Sequence, residues 1–68
     1  MFRAGETIRH RNCLDIDLYI HKIQYSSPTY VKVRVSYMLR KGGWILGTET
    51  VKILRKDFKN WDFIHAKN

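Results

Sequence analysis

An all-β domain is the fold class this sequence predicts, and three features carry that expectation. Val31, Val33 and Val35 alternate with Lys32, Arg34 and Ser36; Leu14, Ile16, Leu18 and Ile20 alternate with Asp15, Asp17 and Tyr19; and clear turn chemistry separates the runs. A period of two belongs to a half-buried strand, because successive side chains leave a strand on opposite faces. We therefore expect four or five strongly bent antiparallel strands, closed or half-closed into a small barrel. The rival arrangement is an α+β domain with a longer C-terminal helix.

Residues 5–10 read as a short first strand anchored by Ile8, followed by a polar loop at His10-Arg11-Asn12. The second strand begins at Leu14. Its phase slips where Ile23 and Tyr25 become apolar at odd positions, which predicts a bulge or bend at Lys22. Ser26-Ser27-Pro28 is a turn, since Pro28 lacks an N–H and pushes Ser27 toward an extended conformation. The valine strand follows, and Arg40-Lys41-Gly42-Gly43 closes it as a hairpin.

Two hairpin registers compete. A two-residue turn would set Val33 beside Lys52. A three-residue loop, or a bulge at Gly47, sets Val33 opposite Val51 and Val31 opposite Ile53, although it leaves Glu49 beside Val35. The second register keeps apolar residues together and is preferred. Beyond Ile53 the period changes. Asp57 is positioned to cap a short helical or 3₁₀ turn, and Phe58 and Trp61, three apart, would plug the open end of a barrel. Phe63 and Ile64 read as a last short strand, with Ala66-Lys67-Asn68 loose. The expected core is Ile8, Leu14, Ile16, Leu18, Ile20, Val31, Val33, Val35, Val51, Ile53 and Phe58.

Composition bounds the rest. Sixty-eight residues, 1–68, make a single domain, and a chain this short buries only about 60% of its unfolded surface. With 44% hydrophobic residues it is too apolar for disorder. No apolar run is long enough to span a bilayer, and the first residues lead straight into charged sequence rather than a signal peptide. The expected setting is the cytoplasm, which the single cysteine, Cys13, also suits.

The net charge of +7 points to polyanions. Lys32, Arg34, Arg40, Lys41, Lys52 and Arg55 crowd the central hairpin and its exit, with Lys56 beside them and only Glu49 opposing. On the preferred register Lys32 faces Lys52 and Arg34 faces Thr50 on one outward surface. Like charges placed opposite each other repel, and phosphates would relieve that repulsion by releasing counterions. Tyr30 shares this parity and Trp44 follows the hairpin, so both are candidate stacking residues. The bland alternative is a solvated edge, since exposed lysines discourage aggregation. The leading expectation is a non-catalytic module that binds DNA or RNA with little sequence specificity. The second is a protein-interaction module that forms a homodimer or binds an acidic protein, with Tyr19, Tyr37 and Trp44 as contact aromatics.

Chemistry-bearing constellations are few. Asp15 and Asp17 share a strand face and two carboxylates can hold magnesium, but no second acidic cluster completes a site, and Arg9 or Arg11 could pair with them instead. His10 and Cys13 lack the further ligands a zinc site requires, and Cys13 has no obvious triad for nucleophilic catalysis. Gly42-Gly43 carries no phosphate-loop fingerprint. No cofactor, metal or catalytic residue is predicted.

Two resemblances add to this reading. Phe2-x-x-Gly5-x-x-Ile8-Arg9-His10, together with Val51, Ile53, Asp57-Phe58 and Trp61, resembles the first strand and the 3₁₀-like ending of SH3-like small barrels, including KOW- and Tudor-type modules. It covers about the first ten and last fifteen residues. Cys13-Leu14-Asp15 stands where KOW motifs usually carry a glycine-rich loop, so no binding residue transfers. As a whole the chain resembles short proteins encoded by tailed phages of marine cyanobacteria, through Arg9-His10-x-x-Cys13-Leu14-Asp15-x-Asp17 and Tyr25-Ser26-Ser27-Pro28. That resemblance implies a phage product acting in the host cytoplasm, with a host protein as the partner on the interaction reading, and implies no activity.

Overall fold

The structure is a computed structural model and describes residues 2–64; the expectation of a loose 66–68 tail lies outside them. Five antiparallel strands form one sheet: β1 (Thr7–His10), β2 (Ile16–Ser26), β3 (Tyr30–Leu39), β4 (Ile45–Leu54) and β5 (Trp61–Ile64), with a 3₁₀ turn over Arg55–Asn60. The spatial order is β4-β3-β2-β1-β5. The all-β expectation holds, and no long C-terminal helix forms among the described residues.

The valines dictate the central strand. Val31, Val33 and Val35 are buried while Lys32 and Arg34 are exposed. Across the hairpin Val31 pairs with Ile53, Val33 with Val51, Lys32 with Lys52 and Val35 with Glu49, which is the register that the apolar pattern favours. The extra residue lies between Tyr37 paired with Gly47 and Met38 paired with Ile45, so Leu46 forms the bulge. Gly42 and Gly43 turn the chain at φ of 89° and 70°, a region closed to most other residues.

Strand β2 carries two irregularities. Ile20 pairs with Val35 and Lys22 with Arg34, so His21 rather than Lys22 is the inserted residue. A second shift follows between Ile23 and Tyr25. Because each slip reverses the facing of what comes after, Ile23 points inward but Tyr25 points outward. A single slip, as the sequence suggests, would have buried them together.

The closed barrel does not form. Strands β4 and β5 are the two edges, and among the described residues they do not pair. Yet only the 3₁₀ turn connects them. At about 2 Å rise per residue it spans roughly 12 Å, whereas four flat inter-strand steps of about 4.8 Å would need roughly 19 Å. The sheet must curl to let so short a link reach. Its curled inner face holds Ile8, Leu18, Ile20, Val31, Val33, Val35 and Ile53. Phe2 completes this core at 4.6 Å from Phe58 and 5.7 Å from Phe63, ring to ring.

Three local expectations need correction. Leu14 is 76% exposed, because β2 begins only at Ile16 and residue 14 precedes the sheet. Asp57 does not cap the 3₁₀ turn; Leu54 occupies that position without a side-chain bond, and Asp57 instead accepts from Asn60 within the turn. Trp61 belongs to β5, and with Phe58 it packs against the core beside a seam that stays open. A groove of about 530 Å³ remains there, lined by Ile16, Leu18, Tyr37, Leu46, Val51 and Trp61.

Candidate nucleic-acid interface

The outward face of β2-β3-β4 is set by the register. One row runs Tyr25, Lys32, Lys52 and the next runs Lys22, Arg34, Thr50. Neighbours in a row lie about 4.8 Å apart in backbone spacing, and successive rows about 7 Å. Four exposed cations thus occupy adjacent positions on three strands. None of the four forms an ion pair among the described residues: the ion pairs present join Arg9 and Arg40 to Asp17, Arg11 to Asp62, and His10 to Asp57. Glu49, the acid nearest in sequence, faces inward and accepts from the Tyr37 hydroxyl at 2.7 Å.

Their other contacts are weak. Arg34 reaches Thr50 Oγ1 at 3.5 Å, and Lys52 Nζ lies 4.7 Å above the Tyr30 ring. Tyr30 is half-buried, while Tyr25 beside it is 54% exposed, with the two rings 5.9 Å apart.

The eight sequence-predicted residues divide into three groups. Lys32, Arg34, Lys52 and Tyr30 come together on this face. Arg40 does not join them: its Nε and Nη2 donate to Asp17 at 3.2 and 3.1 Å, and Nη2 also donates to the Cys13 carbonyl at 2.8 Å. Arg55 is likewise engaged, donating to the Ser27 carbonyl at 2.6 Å and to Ser26 Oγ at 2.7 Å, which ties the β2–β3 turn to the end of β4. Lys41 and Trp44 lie at the hairpin tip, at the opposite end of β3. Trp44 is 72% exposed there.

No family model, curated protein or solved structure matches this chain.

Two residues on the face escaped the sequence reading. Lys22 stood at the predicted bulge, and Tyr25 carried an inward assignment from a single phase slip. The signal for the second slip was faint: Gln24 between two apolar residues is as compatible with plain alternation.

Elsewhere the chemistry is structural. Asp15 and Asp17 do not act as a pair, because Asp17 is buried at 6% exposure with arginine donors on its carboxylate. Among the described residues no three His, Cys, Asp or Glu side chains converge in a metal-binding group. His10 accepts from the Asn12 N–H through Nδ1 at 3.1 Å and meets Asp57 through Nε2 at 3.2 Å, so both ring nitrogens are engaged away from Cys13. A polar ladder crosses three strands where His21 Nε2 meets Ser36 Oγ at 2.6 Å and Ser36 meets Thr48 Oγ1 at 3.0 Å. It satisfies the buried Ser36 hydroxyl.

Proposed function

We propose that this protein is a small non-catalytic module that binds nucleic acid through the outward face of β2-β3-β4. One observation carries the reading: Lys22, Lys32, Arg34 and Lys52 form a contiguous grid without a carboxylate partner among the described residues. Opposed like charges weaken a sheet, and phosphates offset that cost while releasing counterions. The grid consists of cations placed to meet phosphates, which carry no sequence information, so sequence discrimination is slight. The location proposed is the host cytoplasm that the phage resemblance implies. The SH3-like reading draws its support from the curled five-strand sheet and the 3₁₀ turn before its last strand.

Titration of labelled DNA and RNA at several salt concentrations tests this. Four phosphate contacts predict a slope of log K on log salt of about −3 to −4, and the K32A/R34A double variant flattens it by about 1.4 to 1.8. Absence of binding at low salt would overturn the proposal.

A second reading rests on the hairpin tip. Trp44, Ile45 and Leu46 are exposed together at the start of β4, whose outer edge is unpaired among the described residues. Such an edge suits strand-to-strand association with another copy or a host protein. The inward-facing Glu49 opposes it, since an edge charge on the core side discourages pairing. Sedimentation equilibrium separates the two: a monomer at high micromolar concentration removes the dimer.

A further inference from the structure

We infer that the nucleic acid on this face is single-stranded and that Tyr25 is the residue on which a base stacks. The inference rests on the binding reading above and narrows it. Tyr30, although aligned with the cations, has Lys52 4.7 Å from its ring centroid and Tyr25 against its side. A base would have to displace that lysine to reach it. Tyr25 is more open, at 54% exposure, and stands in the same row as Lys32 and Lys52. A base laid on Tyr25 therefore has cations one and two strands away to take the flanking phosphates. Leu54, outward-facing and opposite Tyr30, extends the same apolar shelf.

Shape argues in the same direction. The sheet curls around its core, so the outward face is convex and cannot enclose a helix. In a duplex each base face is already covered by its stacked neighbours, which leaves base edges and the backbone but no face for an aromatic ring to stack on. Such a complex would use the four cations and leave Tyr25 idle. A single strand offers unstacked bases and phosphates together, and aromatic stacking tolerates any base.

The test is fluorescence anisotropy at fixed low salt, using labelled 12-nucleotide oligo(dT), oligo(U) and a 12-base-pair duplex. Wild type is compared with Y25A, Y25F and K32A/R34A, each checked for its fold by circular dichroism. We expect the single strands to bind at least about tenfold tighter than the duplex. Y25A loses about tenfold on single strands and nothing on the duplex, while Y25F stays near wild type. The oligo(dT) and oligo(U) arms separate DNA from RNA, and tighter binding of either fits. Equal binding of single strands and duplex, insensitive to Y25A but weakened by K32A/R34A, would overturn the inference and leave the broader reading standing. No binding of any probe at low salt would overturn both.

Discussion

Arg9 and Asp17 face each other across β1 and β2, and the guanidinium grips the carboxylate through two parallel bonds of 2.9 Å. Their pairing continues the register of Thr7 with Tyr19 and Ile8 with Leu18. Arg40 reaches the same carboxylate from the hairpin, so one buried acid fastens β1, β2 and the β3–β4 turn. A carboxylate this enclosed needs donors on both oxygens. The arginines hold it against burial, which by itself favours the neutral form.

Asp17→Asn should therefore weaken the fold at neutral pH. Removing one partner of an enclosed ion pair leaves the other charge uncompensated, and with both arginines partly exposed the cost falls at about 2–4 kcal/mol. Thermal melts at pH 7 read it directly. A variant as stable as wild type would contradict the role given to this carboxylate.

The acid limb of stability follows from the same residue. The Asp17 carboxyl is lowered first by the Arg9 hydrogen bonds and then by Arg40, with burial opposing. Asp57 is lowered too, chiefly by Asn60 and then by His10. For such groups the unfolded chain binds protons more readily, so their stabilisation is complete above the unfolded value of about 3.9. It is lost as pH falls through the lower folded values. Melting temperature should drop below about pH 4, and D17N should flatten part of that drop. An unchanged acid limb in the variant would place the effect elsewhere.

At the alkaline end Tyr37 is the reporter. The Glu49 carboxylate accepts its hydroxyl at 2.7 Å, and that bond, with burial behind it, pushes the phenol up to about 12. Here the neutral form is favoured in the folded state, so its contribution is intact below about pH 10 and disappears as pH rises toward 12. Absorbance of tyrosinate should show a late component near pH 12 that is missing in Y37F. In E49Q the Tyr37 step should move toward 10. A titration identical in wild type and E49Q would show that the bond does not hold in solution.

Arg40 and Lys22 should behave as opposites. R40A removes donors from Asp17 and lowers stability while leaving the salt dependence of nucleic-acid binding unchanged. K22A leaves the melt within a few degrees but flattens the slope by about 0.7 to 0.9, the share of one phosphate contact. Reversal of the two patterns would mean that the binding face lies elsewhere on the sheet.

Core truncation checks the inner face. Ile20 is fully enclosed, and I20A should cost about 2–5 kcal/mol, comparable to the whole stability of so small a domain. L14A should move the melting temperature by less than about 4 °C, since surface changes stay within about 0.5 kcal/mol. Equal damage from both substitutions would return Leu14 to the core.

What the residues determined unaided is whatever depends on local period. Val31, Val33 and Val35 against Lys32 and Arg34 need only the two-residue pleat to sort inside from outside. Pairing them with Val51 and Ile53 follows because a one-residue slip would put Lys52 in the core. The turn at Ser27-Pro28 and the glycines at the hairpin are equally local. The structure alone decided what depends on distant partners. Arg40 meets Asp17 across 23 positions and Arg55 meets Ser26 across 29, so two cations that read as free turn out to be struts. Tyr25 reached the outward face through a second bulge, whose location depends on how β2 must bend over the core rather than on its own alternation. The open seam has the same origin. Short β5 lies beside β1 and the 3₁₀ turn links it to β4, a balance of strand length and curl that no single segment encodes.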